Sequence, residues 1–187
     1  MVWVLRTRVF RVLAALTAVA GLQACTTSPD PREASELASI RQSNLVPKSN
    51  ARTVVRAFNN HCLGNLGQPA VIPGRLRDVA YVEAETQEKM RVFVVDDRRP
   101  LVMFRERENG LHCVTAARAR TGQADRIDGF VASTYPKAKA MRPADLDVDA
   151  ERVWAIANNP LTMIYTKREP RPLGDDVLML GVIEFDE

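Results

Sequence analysis

The chain has 187 residues, enough for one compact domain with a proper core, and carries 26 Lys and Arg against 23 Asp and Glu. The excess is local: Arg6, Arg8 and Arg11 open the chain with no acid among them, and removing those three leaves 23 basic side chains against 23 acidic ones. A neutral domain has no electrostatic claim on nucleic acid or another polyanion, and Arg98-Arg99 and the Arg105-Glu106-Arg107-Glu108 run read as solvated turn and edge charges.

In chain order, the basic opening leads into residues 12–22, VLAALTAVAGL, an uncharged run. A positive segment followed by a short apolar one is the layout of a secretory signal. The run is too short to span a bilayer as a helix, which takes about 20 apolar residues. Leu22-Gln23-Ala24-Cys25 follows at once and resembles the bacterial lipobox: an aliphatic residue, a tolerant position, a small residue, then a cysteine. The resemblance implies removal of residues 1–24, a diacylglycerol thioether on Cys25 and acylation of the new amine. Thr26, standing where Asp would retain such a protein at the inner membrane, implies an outer-membrane lipoprotein on the periplasmic face. Several acyl chains on one residue anchor stably, whereas one chain binds only marginally.

Residues 25–48 are rich in Ser, Pro, Asp and Arg and read as a lipidated N-terminus and flexible tether. Such a tether of about 23 residues spans roughly 25 Å. A short helix around residues 33–41 would place Leu37 and Ile40 on one side. The globular domain is expected over residues 49–187. Its first helix is predicted over 51–63, capped by Ser49 or Asn50 and ended by Gly64, with Val54, Val55, Phe58 and Cys62 on one face. A further helix is predicted over 74–81. Strands follow over 91–95, 101–105 and 111–115, the last two joined by a turn containing Asn109-Gly110. A helix over 124–134 presents Ile127, Phe130, Val131 and Thr134, with Pro136 beyond its end. Three more strands are predicted over 152–157, 161–166 and 177–185.

The order is therefore helix, three strands, helix, three strands, and the two strand sets resemble each other. Arg91-Val92-Phe93-Val94-Val95, a turn and Pro100-Leu101-Val102-Met103-Phe104 align with Arg152-Val153-Trp154-Ala155-Ile156, a turn and Pro160-Leu161-Thr162-Met163-Ile164. This self-similarity predicts two pseudo-repeated helix-plus-three-strand units, about 50–118 and 122–187. The expected fold is a single α+β domain, a mostly antiparallel sheet with helices packed on it.

Lipidation of Cys25 leaves Cys62 and Cys113, which in an oxidising envelope should pair as a disulfide between a helix and its own sheet. Each of the two histidines precedes a cysteine, His61-Cys62 and His112-Cys113, which raises a Cys2His2 metal site. Adjacent residues of a strand point to opposite faces, so His112 should point away from whatever Cys113 meets. No metal site or cofactor is therefore expected. There is no Gly-x-Ser-x-Gly elbow, and of the six serines beyond residue 24 all but Ser133 lie in the tether or at the first helix cap. The alternating acids Asp145, Asp147, Asp149 and Glu151 resemble the opening of a calcium loop. They lack its sixth-position glycine, where Ala150 stands, and its twelfth-position Glu, where Ile156 stands. Asp96-Asp97 and Asp175-Asp176 read as turn residues, able to work as acid and base only if folding joins them.

With no catalytic set in view, the expected function is that of a membrane-anchored envelope lipoprotein. Its domain would bind an envelope protein or a small ligand, or support an assembly, through a sheet edge or a groove between the units. Two alternatives make different demands. A hydrolase needs a pocket lined by carboxylates from both units; a metal-handling lipoprotein needs Cys62 and Cys113 as free thiols.

Overall fold

The structure, a computed structural model, describes residues 30–39, 46–87, 89–107, 110–146, 149–171 and 175–185. Cys25 and the expected export signal lie outside them. Eight strands form one antiparallel sheet: β1 Val82–Gln87, β2 Met90–Val94, β3 Leu101–Arg107, β4 Gly110–Arg118, β5 Lys139–Met141, β6 Arg152–Asn158, β7 Leu161–Glu169 and β8 Val177–Phe185. Their order is β1-β2-β3-β4-β8-β7-β6-β5. Each half is a four-strand meander, and the last strand of each lies at the centre, where β4 pairs with β8. The order thus reads identically inward from either edge.

Each unit holds four strands, not the three expected. The additional strands, β1 and β5, open each meander. VEAETQ alternates Val82, Ala84 and Thr86 with polar residues but holds no large apolar side chain, and KAM is only three residues long, so each carries only a weak strand pattern. Backbone pairing with β2 and β6 makes them strands. Pairing also lengthens the expected strands, carrying β4 to Arg118 and β7 to Glu169.

Four α-helices are described: α1 Pro31–Ser39, α2 Ala51–Ala57, α3 Ile72–Arg77 and α4 Gln123–Thr134. The Asn50 side chain accepts from the Thr53 backbone N–H and caps α2, while Ser49 instead donates to the Arg98 carbonyl. α2 continues as a π turn over Phe58–Cys62 and a 3-10 turn over Leu63–Asn65, so the helical run reaches two residues past the expected 51–63. The helix expected over 74–81 instead starts at Ile72, with Pro73 in its first turn where the missing N–H costs nothing, and stops at Arg77.

α2, α3 and α4 cover one face of the sheet. Phe58, Phe93, Phe104, Ile127, Leu178 and Leu180 meet there in the main core, with Phe93 and Phe104 stacked at 5.8 Å between centroids. The Cys62–Cys113 disulfide joins the end of the π turn to β4. That is the fourth strand of its unit rather than the expected third, because β1 precedes the other three. Closing a loop of 51 residues contributes about 4 kcal/mol by lost entropy of the unfolded chain.

The opposite face carries a second cluster, in which Val92, Val94, Leu101, Met103 and Val114 meet Leu37 of α1 and Val46. Positions aligned between the two strand sets share a face. Phe93 and Trp154 both pack on the helix side, as do Phe104 and Ile164. Met103 and Met163, one residue earlier than that last pair, fall on the other side.

Candidate functional site

Cys113 points at the helices, so strand alternation turns His112, Val114 and Ala116 of β4 to the opposite face. Register then builds three rows across the centre of that face. One runs Arg105–His112–Ile183–Met163, the next Met103–Val114–Gly181–Tyr165, and the third Leu101–Ala116–Met179–Lys167. α1 and Val46 cover the side toward β1, leaving a groove of about 510 Å³ over β3, β4, β8 and β7. Leu101, Met103, Val114, Ala116 and Met179 make an apolar floor; Arg105, His112, Tyr165, Lys167, Glu169 and Arg171 supply the polar rim. A smaller depression of about 250 Å³ beside it shares His112, Tyr165 and Lys167 and reaches Val153 and Met163.

One residue in the floor decides the geometry of the rim. Tyr165 on β7 and His112 on β4 are separated by β8, yet the Tyr165 hydroxyl lies 2.7 Å from His112 Nε2. The ring crosses β8 over Gly181, where an added Cβ would overlap its Cε1, Cζ and hydroxyl. Glycine in the interior of a strand here permits a side chain to lie flat on the backbone.

Burial, and then the charges of Arg105 and Arg107, push His112 down to about 4. Burial, and then Glu169, push the Tyr165 hydroxyl up. At neutral pH the pair is therefore uncharged, a hydrogen bond rather than an ion pair. Lys167 is held charged by hydrogen bonds from its ammonium to Asp149, at 2.8 Å, and Glu169, at 3.0 Å. The carboxylate of the groove, Glu169, and that of the smaller depression, Asp149, are thus engaged by one cation. Arg105 has no ion-pair partner among the described residues, and its Nε and His112 Nδ1 are buried without a hydrogen bond.

The residues singled out in the sequence are distributed as follows. Cys62 and Cys113 are bonded to each other. His61 lies on the helix side, edge-on to Tyr81 at 5.8 Å and pushed down by burial and Arg99, whereas His112 lies on the opposite face. The four candidate metal ligands are therefore not gathered at one point. Asp97 is bound by Arg99, Asp145 by Arg142 and Glu151 by Arg168; Asp175 lies 3.5 Å from Arg118. Asp147 falls outside the described residues. In the sequence Arg105 has the character of an edge charge only, and no local motif marks Tyr165 or Gly181 as site residues. The one available signal was the lone glycine within the apolar run VLMLGVIEF, a mark of close approach in a strand.

The arrangement can hold a molecule with an apolar body and a polar end. Among the described residues no serine or thiol lines the groove or the depression beside it, and their two acids, Glu169 and Asp149, share one lysine. Comparison of the chain with known protein families, with curated proteins and with solved structures finds no match in any of the three.

Proposed function

We propose that the protein is an envelope lipoprotein, anchored through Cys25 to the periplasmic face of the outer membrane, whose domain binds a ligand in the open groove without transforming it. The groove carries this reading: a volume of about 510 Å³, within the range that small-molecule sites occupy, with an apolar floor and a polar rim of six side chains. The Cys62–Cys113 bridge supports an oxidising compartment, and the lipobox-like residues Leu22 to Cys25 support the anchor. The hydrolase alternative required carboxylates contributed by both units. Asp149 and Glu169 both come from the second unit and are both held by Lys167.

Mass spectrometry of the protein isolated from cells tests both parts of the reading. Denaturing spectra should show a chain beginning at an acylated Cys25. Native spectra should show a bound small molecule that is lost when Met179→Trp fills the groove while circular dichroism stays unchanged. A chain starting at Met1 without fatty acid would overturn the anchor, and a bound mass indifferent to Met179→Trp would overturn the groove.

A further inference from the structure

We infer that the groove takes a single-chain amphiphile with an anionic head, its head held by Arg105 beside the His112–Tyr165 pair and its tail laid along the floor. This rests on the groove being the ligand site, and it adds the chemistry of the ligand.

The charge balance of the groove points to an anion. Guanidinium stays protonated at any physiological pH, and a charge withdrawn from water is costly unless paired. Lys167 is shared by Asp149 and Glu169, so three cations face two carboxylates, the balance is positive by one, and Arg105 and Arg171 have no ion-pair partner among the described residues. They stand at opposite ends, since Arg105 shares the row of His112 and Ile183, whereas Arg171 follows the row of Glu169 and Val177.

Three observations select the Arg105 end for the head. Arg105 stands opposite His112 in the register of β3 and β4, on the face that carries the His112–Tyr165 hydrogen bond, and its charge acts on both groups. Its Nε and His112 Nδ1 are the two side-chain polar atoms buried without partners among the described residues, and both are at this end. When the Tyr165 hydroxyl donates to Nε2, the neutral imidazole carries its proton on Nδ1 and offers a second donor beside the guanidinium. A fork of N–H donors with one further N–H suits a carboxylate or a phosphate, both of which accept bidentate hydrogen bonds from arginine.

The floor selects the rest of the molecule. From His112 to Ala116 along β4 is about 13 Å, a track for an extended alkyl chain, flanked by Leu101, Met103 and Met179. Methionine side chains are flexible and polarisable and conform to chains of different shape.

Isothermal titration of the purified protein with twelve-carbon probes below their micelle concentrations tests this. The probes are dodecanoate, dodecyl phosphate, dodecanol and dodecyltrimethylammonium. At least one anion should bind about tenfold or more tighter than the alcohol, as expected of hydrogen bonds to a charged group, and the cation should bind weakest. Whether carboxylate or phosphate binds tighter tells a free fatty acid from a phosphate headgroup. Arg105→Gln should reduce the anions to the level of the alcohol and leave the alcohol unchanged. Arg105→Lys, which keeps the charge but not the fork, should fall between. Arg171→Gln should have little effect, and thermal unfolding of each variant reports whether it is folded.

Equal binding of all four probes, unaffected by Arg105→Gln, would overturn the anionic head while leaving an apolar groove in place. Anion binding lost in Arg171→Gln and kept in Arg105→Gln would overturn its position. No binding of any twelve-carbon probe would overturn the amphiphile, and the bound-mass measurement on Met179→Trp would decide separately whether the groove is a site at all.

Discussion

The two faces of this sheet are made by alternate residues of the same strands, and they differ in kind. On β8, Leu178, Leu180 and Val182 are buried under the helices, beside Phe93, Phe104 and the disulfide. The residues between them, Val177, Met179, Gly181 and Ile183, belong to the face that carries the groove. The helix side is filled by large aromatic and aliphatic side chains. The other side relies mostly on smaller or more flexible ones, Val, Ala, Met and Gly, beside Leu101, Tyr165 and Ile183, and a groove lies above them. One parity of β8 thus lies in the helix-side core, while the other lines a groove beside the smaller cluster under α1.

The sharpest way to break that division is to truncate neighbours on one strand. Leu180→Ala should lose about 3 kcal/mol of stability in urea unfolding, because it opens a cavity in the closed core. Met179→Ala, one residue away but on the half-open side, should lose about 1 kcal/mol or less. Equal losses would mean that the groove side is as much a core as the other.

A second test uses pH. His112 titrates at about 4 in the folded chain and near 6.5 when unfolded. Between those values the unfolded chain binds a proton that the folded chain refuses, so stability is full above about 6.5 and falls as pH drops toward 4. The contribution is about 3 kcal/mol at most, and His61, also pushed down, adds a slope of the same sign. His112→Gln should flatten the difference between urea midpoints at pH 7 and pH 4.5. An unchanged slope would place His112 in water rather than in the wall of the groove.

The smallest effect belongs to the floor. Gly181→Ala pushes the Tyr165 ring aside and breaks its bond to His112, at a cost of about 1–2 kcal/mol. In a Tyr165→Ala background the same substitution should cost much less, because the obstacle is the ring. A double-mutant cycle in thermal unfolding reads the difference, and independent costs would refute the crossing.

Much of the architecture was legible in the residues. The helical run from 51, the helix ending at Thr134, six strands and the α+β class follow from periodicity and turn chemistry, and the near-repeat anticipated two similar halves. β1 and β5 were harder to read because the alternation of Val82–Gln87 lacks large apolar residues and Lys139–Met141 is only three residues long, so pairing with β2 and β6 decides them. The disulfide followed from counting cysteines, and the opposed directions of Cys113 and His112 from strand alternation. The groove was harder to see. His112 and Tyr165 meet only because β8 inserts between β4 and β7, a long-range pairing that no local pattern encodes, and because position 181 has no side chain.

The central place of β8 has a consequence for how the molecule is assembled. A polypeptide delivered amino end first, from a ribosome or through a translocation channel, presents the first meander long before the strand that completes its inner border. Until β8 arrives, β4 has an open edge and Cys113 stands at the margin of an unfinished sheet. Such long-range closure is slow, and an unpaired edge invites wrong partners, so the intermediate is the stage at which a chaperone would have most to protect.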